Sequence, residues 1–96
     1  MGSNGFGLGF IGCGGYSHQL AQAAMRSEEL RIAACYDPVP EAAERFSADF
    51  STVRCGSAEE LAAMDAVDGV VIVSPNNAHR PNAEAAAAAG KHVFVD

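Results

Sequence analysis

Small residues near the amino terminus have the spacing of a phosphate-binding turn. Gly12, Gly14 and Ser17 fit a G-x-G-x-x-G pattern with serine in the third place, directly after the apolar run Leu8 to Ile11. Gly12 would turn the chain out of a strand, and Gly14 would leave the main chain bare for a pyrophosphate. Ser17 would be small enough for the following helix to pack closely on a sheet. The pattern is typical of dinucleotide-binding turns, although a glycine cluster alone often marks only a turn.

Main-chain amides would supply the chemistry of this turn. The N–H groups of Gly14, Gly15 and Tyr16 would point at the phosphates at the positive end of the helix dipole. Ile11, at the end of the apolar run, belongs to the same predicted cofactor site. Cys13 lies within the loop, where a helix N-terminus could lower its pKa, but a small residue that fills the loop explains it better.

An acidic residue lies where the adenosine ribose of a dinucleotide would need one. Asp37 follows the apolar run Arg31 to Tyr36 and lies 20 residues after Ser17. A carboxylate there accepts hydrogen bonds from the ribose hydroxyls and would repel a 2′-phosphate. Pro38 follows it, and not an arginine that could bind that phosphate. We therefore expect NAD to be preferred over NADP; the alternative for Asp37 is an ordinary turn residue before proline.

The elements that must position these residues alternate between strand and helix. Such alternation predicts parallel strands with right-handed crossovers and helices on both faces. The fold class is therefore α/β, a three-layer Rossmann-type doubly wound sheet with strand order 3-2-1-4-5. The predicted strands cover residues 8–11, 31–36, 52–55 (short, at an edge), 67–73 and 92–95, and the predicted helices cover 17–27, 40–50, a short segment after the capping box at Ser57, and 79–89 with Gly90 as cap.

Composition limits the function classes. The chain has 96 residues, enough for one domain, and its 49% apolar content can form a core. A net charge of −6 without a basic cluster argues against nucleic-acid binding. Three cysteines without a C-x-x-C pair argue against disulfides and metal sites and favour a reducing, cytoplasmic location. No stretch approaches the length of a membrane span, so we expect a soluble protein without a membrane partner.

Four motifs together resemble a known family. GFIGCGGYSH, CYDPVPEAAERF, VVIVSPNNAH and GKHVFVD are similar to the amino-terminal domain of the Gfo/Idh/MocA oxidoreductases, the group of glucose-fructose oxidoreductase and inositol 2-dehydrogenase, from about Phe6 to Asp96. The resemblance implies hydride transfer between a nicotinamide cofactor and a sugar, polyol or related secondary alcohol. It adds cofactor-binding positions after the fourth strand and at the end of the fifth: Ser74, Pro75, Asn76, Asn77, His79 and Asp96.

The same resemblance predicts what lies outside these residues. In the family, a lysine and a proline follow the carboxylate at the position of Asp96, and the lysine assists proton transfer. The sequence stops at Asp96, so we expect residues 1–96 to be a truncated dinucleotide-binding domain without a catalytic residue. The substrate domain, through which family members usually form homo-oligomers, would follow it. The chain alone should bind dinucleotide weakly at best and catalyse no turnover.

Two other classes remain open at this point. One is a dinucleotide- or CoA-binding module that performs no chemistry. The other is an S-adenosylmethionine-dependent methyltransferase, which also has a glycine loop and an acid after its second strand. Comparing the binding of NAD and S-adenosylmethionine separates the methyltransferase from a dinucleotide-binding protein. His18 is better explained as a packing or surface residue than as a catalytic one, and His92, at the start of a buried strand, receives no role.

Overall fold

The computed structural model describes residues 5–73 and 76–95 of the chain, with side chains for all of these except 76–79. Three predicted site residues, Ser74, Pro75 and Asp96, lie outside the described residues.

Strands and helices alternate throughout the described residues. All strand pairs are parallel, and the five-stranded sheet has the order β3-β2-β1-β4-β5, as predicted. The elements are β1 (Phe6–Ile11), α1 (Gly15–Met25), β2 (Leu30–Tyr36), α2 (Pro40–Phe50), β3 (Val53–Arg54), α3 (Ala58–Ala62), β4 (Gly69–Ile72), α4 (Asn76–Ala88) and β5 (His92–Val95).

The helices cover both faces of the sheet, which gives the predicted three layers. On one face α1 and α2 pack through Ala21, Ala24 and Phe46, and the Phe10 and Phe46 rings lie 5.3 Å apart. On the other face α3 and α4 contribute Ala58, Leu61 and Ala86. Because β1 and β4 are central and adjacent, the loops that follow them open at the same edge of the sheet.

Local signals account for several helix ends. Ser57 is the N-cap of α3, and its hydroxyl accepts a hydrogen bond from the Glu60 amide at 3.0 Å. The Glu60 carboxylate accepts from the Gly56 amide at 2.7 Å instead of closing the capping box on Ser57. Gly90 ends α4 with φ of +79°, and the Lys91 amide donates back to the carbonyl of Ala86 at 3.0 Å.

Some predicted boundaries differ from the observed ones. Helix α1 begins at Gly15 and not at Ser17, because Gly15 already has helical geometry directly after the extended N-cap Gly14. Helix α4 begins at Asn76, not His79, so Pro81 lies inside it, with no N–H for the carbonyl of Asn77. Strand β4 is shorter than 67–73, although the Val73 amide still donates to the carbonyl of Ile11 at 2.8 Å.

The expectation that the last strand is buried was wrong. Among the described residues, strand β5 pairs only with β4, and along it only Val93 is half-buried. Phe94 and Val95 are 50% and 52% exposed. An edge strand lacks a second neighbour, so an apolar sequence is not enough to bury it.

Candidate functional site

Gly12 makes the turn that leads out of β1. Its φ is +97°, a conformation that residues with a Cβ rarely adopt. Its amide donates to the carbonyl of Tyr36 at 2.8 Å, which attaches the turn to the end of β2. The prediction that this position requires glycine therefore has a local conformational cause.

Ser17 lies where α1 approaches the sheet and has no exposed surface. Its hydroxyl donates to the carbonyl of Gly12 at 2.5 Å. Serine is small enough for the close packing that was predicted, and it also satisfies a carbonyl of the turn. Sequence reasoning predicted the need for smallness and missed this hydrogen bond.

The N-terminus of α1 presents main-chain amides to open space. Gly14 is the N-cap, without a side-chain cap, and the first turn of α1 contains no acidic residue. Gly14, Gly15 and Tyr16 are exposed. A Cβ added to Gly14 or Gly15 would meet no atom of the described residues within 4 Å. At Gly14, where φ is −82°, neither packing nor conformation within the described structure requires glycine.

The Asp37 carboxylate joins the glycine loop to the end of β2. One oxygen accepts from the Cys13 amide and the other from the Val39 amide, both at 2.8 Å. An ionised carboxylate can accept about four hydrogen bonds, so each oxygen retains capacity for a ligand hydroxyl. The predicted acid and the predicted turn are therefore in direct contact.

A groove of about 230 Å³ opens beside Asp37. Pro38 and Pro40 line it from the start of α2, and Arg54, Cys55 and Gly56 line it from the end of β3. Arg54 was not among the predicted site residues. The place of β3 next to β2 brings it beside Asp37, and a two-residue strand gives little sequence signal of that pairing.

The remaining predicted positions are only partly described. Ile11 is 1% exposed and its carbonyl accepts from Val73, so any contact with a ligand would come from its main chain. Asn76, Asn77 and His79 lie in the first turn of α4, after β4, but their side chains are not described. Since β4 is next to β1, this turn and the glycine loop lie at the same edge of the sheet.

Two residues beside the loop have structural roles. The His18 ring contacts the rings of Phe46 and Phe50, and its Nε2 lies 3.1 Å from Asp49. The packing interpretation of His18 is therefore confirmed. Cys13 is 2% exposed, and a hydrogen bond with Cys35 together with burial raises the pKa of its thiol. The idea of a lowered pKa at this loop position was wrong.

The described residues contain neither a cluster of metal ligands nor a membrane-spanning helix. Among the described residues, no group of three histidine, cysteine or acidic residues is arranged to hold a metal ion. Over the same part of the chain, no helix combines the length and apolar content that crossing a bilayer requires.

A parallel sheet of this order, with a glycine turn after β1 and an acid after β2, defines a Rossmann-type dinucleotide-binding domain. Residues 6–96 match the model of the Gfo/Idh/MocA oxidoreductases, described as an oxidoreductase family with an NAD-binding Rossmann fold. The chain belongs to this family.

Individual relatives agree with the family match. Glucose-6-phosphate 3-dehydrogenase of Bacillus subtilis is 30% identical over 89 residues, which are 93% of this chain and 25% of that protein. An NAD-binding oxidoreductase from Klebsiella pneumoniae is 33% identical with a TM-score of 0.84 over 95% of this chain and 26% of its own. Biliverdin reductase from Synechocystis, solved with biliverdin and NADP+, is 25% identical with a TM-score of 0.87 over 93% of this chain and 28% of its own.

These matches show which part of its relatives the chain resembles. It spans about a quarter of the length of the relatives it matches. It is similar to their NAD(P)-binding domain, and the family contains sugar dehydrogenases.

Proposed function

We propose that the chain is the NAD-binding domain of an oxidoreductase that transfers hydride between the nicotinamide ring and a sugar, polyol or related secondary alcohol. The observation that carries the proposal is the 2.8 Å hydrogen bond that the Cys13 amide of the glycine loop donates to the Asp37 carboxylate. It brings the proposed ribose acceptor and the proposed phosphate-binding helix N-terminus together at one edge of the sheet. The similarity to glucose-6-phosphate 3-dehydrogenase supports the substrate class.

Different residues would bind different parts of the cofactor. The amides of Gly14, Gly15 and Tyr16 would bind the pyrophosphate, and the Asp37 carboxylate would accept from the ribose hydroxyls. Because Cys13 and Val39 hold both oxygens of Asp37 in place, its ordering costs little when ligand binds. The nicotinamide supplies the hydride chemistry.

The positions known from the resemblance would complete the site. The turn at Ser74, Pro75, Asn76 and Asn77 would pass along the cofactor, with His79 beside it and Asp96 at the nicotinamide end. We assign no catalytic residue to these 96 residues, since the family lysine would follow Asp96. The chain alone would therefore show no dehydrogenase rate above that of a Gly14 variant. We further propose a cytoplasmic location and a homo-oligomeric whole protein.

The preference for NAD rests on the charge of Asp37. A carboxylate at the ribose repels a 2′-phosphate, so NAD should bind more tightly than NADP. Replacing Asp37 by serine keeps a hydroxyl for the ribose and removes the charge. This should reduce the difference between the affinities for NAD and NADP. Equal affinities of the unaltered chain for NAD and NADP would count against this preference.

Gly14→Val tests the site without disturbing the fold. The added methyl groups would fill the open space in front of the α1 amides, and the φ of −82° suits valine. We expect at least a tenfold loss of NADH affinity, measured by fluorescence titration. The control is Ala23→Val, which adds two carbon atoms to an exposed side chain of the same helix, away from its N-terminus. Unchanged affinity of Gly14→Val, or tighter binding of CoA or S-adenosylmethionine than of NADH, would refute the proposal.

A further inference from the structure

Arg54 is a positive side chain whose charge acts on the nearby Cys35 thiol. Arg31 and Lys91 bond main-chain carbonyls, and Arg80 pairs with Glu84. Arg54 makes no side-chain hydrogen bond or ion pair within the described residues. Arg54 is the last residue of β3 and lies opposite Cys35 of β2. Its guanidinium is therefore available to a ligand.

The groove that Arg54 lines also contains the Asp37 carboxylate. Burial raises the pKa of the Cys55 thiol in the same groove, so this thiol is neutral. The formal charges of Asp37 and Arg54 cancel, although the whole chain carries −6. Glu60 bonds the Gly56 amide at the rim, and its charge adds to burial in raising the pKa of the Cys55 thiol, so a second carboxylate acts on the groove from outside its lining. Arg54 is the basic residue among those that line the groove, and it is the group that can offset these negative charges for an anion.

The environment of Asp37 reduces its repulsion further. Both of its oxygens accept main-chain N–H groups, from Cys13 and Val39, and these dipoles oppose the carboxylate charge. A phosphate ester beside the ribose would face this compensated carboxylate on one side. On the other side it would face a planar guanidinium, which can donate two parallel hydrogen bonds to phosphate oxygens.

We propose that Arg54 binds the 2′-phosphate of NADP, and that the chain accepts NADP beside its preferred NAD. Arg54 would thus be a second specificity-determining residue, opposite in sign to Asp37. The inference rests on the proposed function, because it assumes that the adenosine ribose lies at Asp37. It also assigns Arg54 a contact that NAD lacks, so its effect must differ between the two cofactors.

Arg54→Ala provides the test, with affinities for NAD+ and NADP+ measured by calorimetry on the whole chain. We expect NADP+ affinity to fall roughly tenfold to a hundredfold, as for a hydrogen-bonded ionic contact, and NAD+ affinity to change less than about twofold. Arg45→Ala is the matched control, because it removes the same charge from an exposed position on α2 outside the groove. It should leave the NAD+/NADP+ affinity ratio unchanged. Arg54→Lys should retain part of the NADP+ affinity.

Two outcomes would overturn the role of Arg54 alone. An equal loss for both cofactors would mean that Arg54 contacts a group they share, and an unchanged ratio would mean that it contacts neither phosphate nor ribose. Asp37→Ser adds a further requirement. It should raise NADP+ affinity, and adding Arg54→Ala to it should remove that gain. If the unaltered chain binds CoA or S-adenosylmethionine more tightly than either nicotinamide cofactor, the proposed function itself fails, and this inference fails with it.

Discussion

Gly12 and Gly14 belong to one loop but are glycine for different reasons. Gly12 has φ of +97°, so the turn itself restricts the residue. Gly14 has an ordinary φ, and no atom of the described residues lies within 4 Å of where a Cβ would be. A glycine that neither φ nor packing among the described residues requires is best explained by what approaches it from outside. At Gly14 that is the diphosphate of the proposed cofactor.

Cys13 offers a test of the loop through its reactivity. A hydrogen bond with Cys35 and burial raise the pKa of its thiol, and only the thiolate reacts with alkylating reagents. A free cysteine has a pKa of about 8.5, so its alkylation rate levels off above that pH. We expect Cys13 in the folded chain to react slowly at pH 8 and its rate to keep rising beyond pH 9.

Iodoacetamide labelling followed by peptide mass spectrometry gives the rate at each cysteine. The control is the chain in urea, where Cys13, Cys35 and Cys55 should all react as free thiols do. Labelling of Cys13 in the folded chain as fast as in urea would show that the thiol is accessible and ionised, contrary to its burial in the loop.

Spacing along the chain predicted Asp37 but could not predict Arg54. The acid lies at a fixed distance from the glycines because a strand, turn, helix and strand of ordinary length separate them. Arg54 reaches the same groove only because β3 pairs with β2. Two exposed residues, Val53 and Arg54, form that strand, so neither alternation nor an apolar run indicates which way each side chain faces.

At the scale of single elements, the ends of helices differ in how far sequence determines them. The Ser57 cap and the Gly90 stop were predicted, because each has a side-chain or conformational cause within one residue. The start of α4 was misplaced, because Asn76 and Asn77 suit a turn as well as the first turn of a helix.

Ser57→Ala should destabilise α3 by removing the acceptor for the Glu60 amide. Loss of an N-cap of this kind costs about 1 kcal/mol, so the free energy of unfolding should fall by that amount. Urea denaturation followed by circular dichroism measures it. Ser57→Asp keeps an acceptor at the cap and should leave the midpoint unchanged or slightly higher, because it also places a negative charge at the helix N-terminus. Equal midpoints for the alanine and aspartate variants would contradict this account.

At the scale of the whole molecule, alternation predicted parallel strands, and the Rossmann-type assignment from the glycine turn and the family resemblance added the order of the sheet. Five apolar or short extended segments separated by helices allow few right-handed parallel arrangements, and β3-β2-β1-β4-β5 is one of them. The burial of each strand could not be predicted in the same way. The predicted order already places β3 and β5 at the edges, but how much of an edge strand is covered depends on everything that packs against the sheet.

The β5 edge leads to the last prediction. Phe94 and Val95 are half exposed and line an apolar groove of about 400 Å³ on the α1 face, together with Leu20 and Tyr16. Unpaired main-chain groups of an edge strand beside such a surface favour pairing with another copy. We expect the 96-residue chain to associate increasingly with concentration, as measured by sedimentation velocity. Phe94→Lys should shift it toward monomer, because a charge on an edge strand opposes pairing.

Met25→Lys is the matched control for that experiment. Met25 is 61% exposed at the end of α1 and is not among the residues that line the groove beside β5. Its replacement by lysine should therefore leave the association unchanged. Equal effects of the two lysines would mean that added charge, and not the β5 surface, controls association. A monomer at every concentration would mean that the exposed edge strand is protected by its own twist and shortness, as short edge strands in other sheets are.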